Sequence, residues 1–468
     1  MKNIENILDK VNHIHFIGIG GSGMCPMSEI LLSKGFKVSG SDNYISDTLK
    51  RILNSEIEIF LDHDARNVEN ADLVVYSAAI KEDNVERVAA LQRGIPCIER
   101  SVMLGLLCAQ YKNPIAISGT HGKTTTTAML AQILTMAQAD PTAIIGGKLP
   151  FFNGNSRIGN SETIVCEACE YVDSFLQIVP AIAVITNVEA DHLDYFKNLD
   201  NVINSFNKFA KSAIDCVFIN GDDENSRLAA KDVFTPIVTF GLNKNNTYYA
   251  ANISDENVPF ANFTLMKNHE KLVDVKLSVP GTYNVYNAVA AAAVAHQFGI
   301  SPEDIATALN TFTGVHRRFE VLGKPNGITI ADDFAHHPTE ITSVLIAASK
   351  MGFNRVIAVF QPHTYSRTAD FLDEFAKALS IADITVLSEI LAVREVNVQN
   401  IHAEDLAAKI ENCICLNTFE EITECIEKIA KPGDLVLTMG PRIFSFALSL
   451  ISRFFILAIS DLMCSGFE

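Results

Sequence analysis

Gly119-Thr120-His121-Gly122-Lys123-Thr124-Thr125 stands between an apolar run, Pro114 to Ile117, and a helix-like stretch, Thr126 to Leu134. A glycine-rich turn between strand and helix is the setting of a phosphate-binding loop. The glycines let backbone N–H groups converge on phosphate oxygens, Lys123 supplies a cation, and the Thr124 hydroxyl is placed to reach Mg²⁺. The spacing, Gly-x-x-Gly-Lys-Thr-Thr, is shorter than the common Gly-x4-Gly-Lys-Thr form because position 117 is Ile. All seven residues from Gly119 to Thr125 are therefore candidate nucleotide contacts, and an α/β domain is expected around them.

Upstream, a β-like run from His13 to Ile17 leads into Gly18-Ile19-Gly20-Gly21-Ser22-Gly23, a helical pattern from Met24 to Ser33, and a second β-like run, Lys37 to Ser41, ending at Asp42. This is the order of a dinucleotide-binding unit, with the acid about twenty residues after the turn, where it would bond a ribose hydroxyl. Gly-x-Gly-x-x-Gly alone is weak, since chance supplies it roughly 0.2 times in a chain of this length; the strand–turn–helix–strand context gives it weight. Gly18, Gly20, Gly21, Ser22, Gly23 and Asp42 become candidate substrate contacts. The alternation continues through Leu73 to Tyr76, and Lys112-Asn113-Pro114 reads as a linker.

Downstream, apolar runs at Thr163–Cys166 and Ile182–Thr186 are each followed by polar chemistry, Glu167-Ala168-Cys169-Glu170 and Asn187-Val188-Glu189-Ala190-Asp191-His192. In parallel sheets ligands gather beyond the carboxyl ends of strands, so both clusters are placed to face the phosphate loop; solvated loop polarity is the bland alternative. Asn284 and Asn287 open an Ala-rich helix from Ala288 to Ala295 and, taken singly, read as helix caps. From Gly314 the pattern repeats, with strands at Val356–Phe360 and Ile384–Leu387 and polar motifs Arg317-Arg318-Phe319, Asp332 to Pro338 and Gln361 to Arg367.

The 468 residues exceed one ordinary core, so two or three domains are expected. A net charge of −18 argues against nucleic acid, whose binding needs clustered Lys and Arg; anionic ligands must be held by local donors. The first residues place Glu5 and Asp9 among apolar side chains without a continuous apolar core, so no secretory signal is read and a cytoplasmic setting is expected. Ten scattered cysteines read as free thiols, and Cys166-x-x-Cys169, with no second pair at zinc spacing, carries no metal or redox expectation.

These motifs, in this order, resemble the Mur ligases of peptidoglycan synthesis from His15 to about Gly440, and His15-Phe16-Ile17-Gly18-Ile19-Gly20-Gly21-Ser22-Gly23-Met24 looks like the opening of the alanine-adding members. The resemblance implies an α/β protein of three domains: a Rossmann-like domain for a UDP sugar at 1–112, a central P-loop ATPase-like domain at 113–314, and a C-terminal Rossmann-like domain admitting an amino acid at 315–468. It implies ATP and Mg²⁺ as cofactors and UDP-N-acetylmuramic acid and L-alanine as partners, joined through an acyl phosphate with release of ADP and phosphate. Lys123 and Arg318 would neutralise phosphoryl charge. Thr124, Glu170 and His192 would hold Mg²⁺, with His192 counted beside Lys123 and Arg318 in the catalytic set. Asn284 and Asn287 would meet adenine and Asp333 ribose. His336, His363 and Arg367 would lie on the alanine side. Rival readings are a ligase adding a ready-made peptide to the same sugar nucleotide, a nicotinamide-dependent dehydrogenase, and a nucleotide-binding protein without turnover.

Three features depart from that family's pattern: Phe334 where Tyr is frequent, Thr364 where Arg is frequent, and the end. After Leu435 to Gly440 the family continues with Ala-Gly-Asp and a final helix, whereas this chain reads Pro441-Arg442 and then an apolar stretch, Ile443 to Ile459, broken by serines and Arg453. Apolar residues there fall on nearly all sides of a helix, so some are expected to face solvent, and the stretch is short and charged for a membrane span, so no stable insertion is expected.

Overall fold

The computed structural model describes residues 7–254, 260–393 and 395–465, with side chains as far as 454. Three sheets organise them. The first comprises β1 (His13–Ile17), β2 (Lys37–Ser41), β3 (Glu58–Phe60), β4 (Leu73–Tyr76) and β5 (Cys97–Glu99), parallel in the order β3-β2-β1-β4-β5. The central set comprises β6 (Asn113–Ser118), β7 (Thr142–Leu149), β8 (Gly154–Arg157), β9 (Thr163–Glu167), β10 (Ile182–Ile185), β11 (Cys216–Asn220) and β12 (Ile237–Gly241), in the order β12-β11-β10-β6-β9-β7-β8. β13 (Tyr248–Ser254) pairs with β12 through Tyr248 and Tyr249, and β14 (Phe260–Lys267) forms an antiparallel hairpin with β15 (Glu270–Pro280). The third sheet holds β16 (Glu320–Gly323), β17 (Thr329–Asp333), β18 (Val356–Phe360), β19 (Ile384–Leu387), β20 (Cys413–Cys415) and β21 (Leu435–Met439), ordered β16-β17-β21-β18-β19-β20.

The strand sequences explain the parallel pairing. β1, β10, β18 and β21 are buried along their whole length, as expected for strands covered on both faces by crossover helices. The helix Met24–Ser33 has the predicted bounds; the helix expected over Thr126–Leu134 runs Lys123–Met136, so the phosphate loop itself forms its first turn. The chain divides into two compact units, one holding residues 1–249 and 287–305, the other 250–286 and 306–468. The first and second sheets thus share one unit, and a continuous apolar cluster from Leu8 to Ala230 runs through it. Polar contacts tie the same two sheets: Arg51 donates to Asn155 Oδ1 at 3.1 Å and to Glu29 Oε2 at 2.6 Å, and Asn155 Nδ2 donates to the Ser22 carbonyl at 2.7 Å.

The terminal helix, Phe444–Ser465, buries or half-buries most of its large side chains as far as Phe454 and, as expected from its composition, leaves one apolar residue, Leu448, exposed. Ile443, Phe446, Ala447, Leu450 and Phe454 are buried, at helical spacing, and all but Ala447 belong to one cluster with Ile328, Ile330, Val436 and Ile426. Ser445, Leu448, Ser449, Ser452 and Arg453 are exposed, and Arg453 pairs with Glu427 at 2.6 Å. As far as Phe454 the helix therefore has one apolar face and one polar face, because the serines fall opposite the large side chains. The side chains of 455–459 lie outside the described residues. No helix among the described residues is long and apolar enough to cross a membrane. Leu450→Ala should lower unfolding free energy by about 2–4 kcal/mol and Leu448→Ala by less than about 1, read from denaturant melts of the full chain.

Candidate active site

The phosphate loop is closed around residues from the neighbouring strand β10. Gly119 has φ +138°, and a Cβ there would run into Thr186; Gly122 has φ +82°, and a Cβ there would run into Asn287 Oδ1. Only glycine meets both requirements, a left-handed backbone and the absence of a side chain. The His121 N–H donates to Asn187 Oδ1 at 2.8 Å, the Thr120 N–H to the Asn187 carbonyl at 3.0 Å, and the Thr186 hydroxyl to the His121 carbonyl at 2.5 Å. Thr124 and Thr125 are buried in the first helical turn, and Thr126 donates to Asn287 Oδ1 at 3.2 Å.

Lys123 turns its ammonium back over this loop. It donates to the carbonyls of Gly119 and Thr120, the latter at 3.0 Å, and to Glu170 Oε1 at 3.1 Å, with Glu170 Oε2 at 3.0 Å. Burial by itself favours the neutral amine, but Glu170 outweighs it and holds the ammonium above its ordinary range. Glu170 is buried, and the Lys123 ammonium is the cation paired with its Oε2. Just beyond it the backbone is forced: Val172 and Asp173 have φ of 50° and 58° and His192 of 53°. The turn is pinned by Tyr195 donating to Asp173 at 2.8 Å and by Ser205 donating to the same carboxylate. His192 lies against Tyr171, ring centroids 4.6 Å apart, with Asp191 Oδ2 3.8 Å from its Nε2.

The first glycine turn sits at the carboxyl ends of β1 and β2. Gly18, at φ +82°, and Ile19 donate to the Ser41 carbonyl at 2.8 and 3.0 Å. Asp42 faces this turn: its Oδ2 accepts the Gly20 N–H at 2.9 Å, and Ser46 donates to the Gly20 carbonyl at 2.9 Å. Gly21 N–H closes on the Gly18 carbonyl at 3.2 Å, Ser22 is held through its carbonyl by Asn155, and a Cβ on Gly23 would press on Arg100.

In the second unit, neighbouring residues of β17 have different jobs. Asp332 accepts from Arg317 Nε at 2.8 Å and Thr438 at 2.7 Å, while Arg317 also donates to the carbonyls of Gly440 and Pro441, each at 2.6 Å. Asp333 accepts the N–H groups of Phe319 and Ala335, each at 2.7 Å. Burial pushes its carboxyl up to about 6 against the opposing pull of Arg318 and those two donors. Arg318 is seated over the Phe334 ring, 5.3 Å from its centroid. Asn284 Nδ2 donates to the Pro280 carbonyl at 2.7 Å. His336, His363 and Arg367 do converge: the two rings are 5.8 Å apart, and Arg367 Nη1 lies 3.1 Å from His363 Nδ1. Thr364, at φ 68°, caps the short helix that carries Arg367.

Family models match the chain in three consecutive pieces: the Mur ligase family catalytic domain over 13–112, the Mur ligase middle domain over 117–295, and the Mur ligase glutamate ligase domain over 317–442. The chain belongs to the Mur ligase family. It is 45% identical to a UDP-N-acetylmuramate–L-alanine ligase of Acetivibrio thermocellus over 93% of this chain and 95% of that protein. It is 44% identical to one of Clostridium tetani over 93% and 96%. Among solved structures it resembles a UDP-N-acetylmuramate–alanine ligase of Thermotoga maritima, at 31% identity and TM-score 0.80, covering 94% of this chain and 99% of that one. A murein peptide ligase of Psychrobacter arcticus resembles it at 28% identity and TM-score 0.74, covering 95% and 98%.

As in its sequence motifs, this Mur ligase places polar residues at strand ends, yet three residues outside the predicted set help shape the sites. Asn187 holds the phosphate loop by both its side chain and its carbonyl, and its position after a buried strand was the available signal. Tyr171 packs on His192, and half-buried Tyr283, its phenol pushed up by desolvation and then by Asp333, lies in the field of Arg318. Asp333 supplies a pH test. Its folded value lies above the ordinary carboxylate value, so the native state holds the extra proton and stability falls as pH rises from about 4 through about 6. Asp333→Asn should remove about 2–3 kcal/mol of that fall, measured as unfolding free energy at pH 4 and pH 7.

Proposed function

We propose that this chain is an ATP-dependent ligase that joins L-alanine to the lactyl carboxylate of UDP-N-acetylmuramic acid in peptidoglycan precursor synthesis. The carrying observation is near full-length identity to relatives named for that reaction, well above the identity to the murein peptide ligase. We assign 1–112 to the UDP sugar, 113–314 to ATP and 315–468 to the amino acid.

A carboxylate is a poor acyl donor at neutral pH. Attack of the lactyl carboxylate on the γ-phosphorus of ATP forms a C–O–P linkage and expels ADP, making an acyl phosphate. The free amine of alanine then adds to the carbonyl, a proton leaves the nitrogen, and inorganic phosphate departs. Positioning and charge neutralisation carry such a step, with no covalent protein nucleophile. Lys123, lined up along the loop by Glu170, is placed to exchange the Gly119 and Thr120 carbonyls for phosphate oxygens. Arg318 serves the same charge, with Asn284, Asn287 and Asp333 on the nucleoside. The donor set fits magnesium: the buried Glu170 carboxylate, the buried Thr124 hydroxyl and His192. When bound, the metal neutralises phosphate charge. Gly18 to Gly23 and Asp42 would receive the UDP sugar, and His336, His363 and Arg367 the alanine, whose carboxylate calls for a cation. A cytoplasmic setting suits substrates of this kind.

Phosphate release from ATP and UDP-N-acetylmuramic acid, dependent on L-alanine and not supported by L-alanyl-γ-D-glutamyl-diaminopimelate, tests the reading. Lys123→Ala should lower that rate at least a hundredfold, about 3–4 kcal/mol of transition-state stabilisation, while UDP-sugar binding holds; turnover above half of wild type would remove Lys123 from the mechanism. Gly20→Val should do the reverse. Its Cβ would lie 2.9 Å from Asp42 Oδ2 and 3.1 Å from Ser46 Oγ, so calorimetry should show UDP-sugar affinity lost and ATP affinity kept.

A further inference from the structure

Beneath the first glycine turn lies a buried polar network that the proposed chemistry does not use. Glu86, on the helix Val85–Gln92, is fully buried, as are His15 on β1 and Ser41 at the end of β2. Ser41 Oγ donates to Glu86 Oε2 at 2.6 Å, His63 Nδ1 lies 2.9 Å from the same oxygen, and Asn67 Nδ2 donates to Oε1 at 2.6 Å. On the other side of Glu86 a chain of contacts runs down β1 and β2. His15 Nε2 faces Glu86 Oε1 at 3.6 Å, His15 Nδ1 meets Ser39 Oγ at 2.8 Å, Ser39 Oγ meets His13 Nε2 at 2.8 Å, and His13 Nδ1 meets the Asn70 carbonyl at 2.7 Å.

Glu86 is the hub of this network. Burial opposes its charge, but its contacts with His15, Ser41 and Asn67 outweigh that and hold its carboxyl below the ordinary range, and it lies in the first turn of a helix capped by Asn84. Two side chains donate to its two oxygens, Ser41 to Oε2 and Asn67 to Oε1, so the carboxylate is fixed in place.

The network reaches the ligand turn through one residue. The Ser41 side chain is held by Glu86, and the Ser41 carbonyl accepts the Gly18 and Ile19 N–H groups at 2.8 and 3.0 Å. We propose that Glu86 is a positioning residue for UDP-sugar binding, fixing the Gly18–Gly20 turn through Ser41. The proposal rests on that turn being the UDP-sugar site. Glu86 acts through Ser41, whose carbonyl anchors the turn by its Gly18 and Ile19 N–H groups.

Full-chain Glu86→Gln and the milder Ser41→Ala, each checked for a wild-type far-ultraviolet spectrum, supply the test. Both should raise KM and the calorimetric Kd for UDP-N-acetylmuramic acid by about tenfold, with kcat and KM for ATP within about twofold, a split that general loosening of the fold would not produce. Unchanged UDP-sugar affinity in both variants, or equal losses for both substrates, overturns the proposal. A wild type that binds no UDP sugar overturns the functional reading and this proposal with it, whereas tight wild-type binding with unaltered variants overturns this proposal alone.

Discussion

The ammonium of Lys123 has to remain charged inside a loop that shuts out most of the solvent. Burial disfavours the charge; Glu170 counters that, and two loop carbonyls complete its shell. Other features of the central site follow from this arrangement. The loop can fold so close only because Gly119 and Gly122 carry no side chain against Thr186 and Asn287. Glu170 reaches the lysine from a turn whose next residues have left-handed backbones, an unfavourable geometry of about 1–3 kcal/mol per residue that persists because Asp173 is tied down by Tyr195 and Ser205.

The two glycine turns share a construction. In each, backbone N–H groups are tied to oxygens of the neighbouring strand end. At the second turn a single cation, Lys123, is held beside a buried carboxylate. Both turns are held by the strand next door: Asn187 and Thr186 beyond β10 for the turn after β6, Ser41 and Asp42 at the end of β2 for the turn after β1. A parallel sheet brings those neighbours to the same edge, which is why the sites form at carboxyl ends.

Much of this was legible from local pattern. Glycine spacing, apolar runs and the polar residues after them located both turns, the strands that carry them and the helix Met24–Ser33, because in parallel sheets these features are set within a few residues of sequence. What the sequence hid were contacts between distant segments. Asp42 was placed by spacing for a ribose, yet its carboxylate grips Gly20, a choice that depends on how β2 exits the sheet. Arg317 and Arg318 read alike as a charged pair, but Arg317 is consumed by Asp332 and the 440–441 carbonyls. In the terminal helix composition foretold an exposed apolar residue, Leu448, but not which face the others take, since burial depends on the partners each one meets.

Adjacent residues on a strand point to opposite faces, and that alternation divides labour in the second unit. Asp332 goes to the side where Arg317 and Thr438 wait and becomes part of an ion pair locked to the end of β21. Asp333 goes to the other side and receives two backbone N–H groups in place of a cation. Arg317 also lies near the Phe334 ring but is already committed to three oxygens, so Arg318, resting on that ring, keeps a guanidinium whose charge is not cancelled by a direct partner on β17. A tyrosine hydroxyl at 334 would add a polar group to that seat; phenylalanine offers only its π face, which attracts the cation without taking up its N–H donors. Phenylalanine at 334 thus seats the Arg318 guanidinium without competing for its N–H donors.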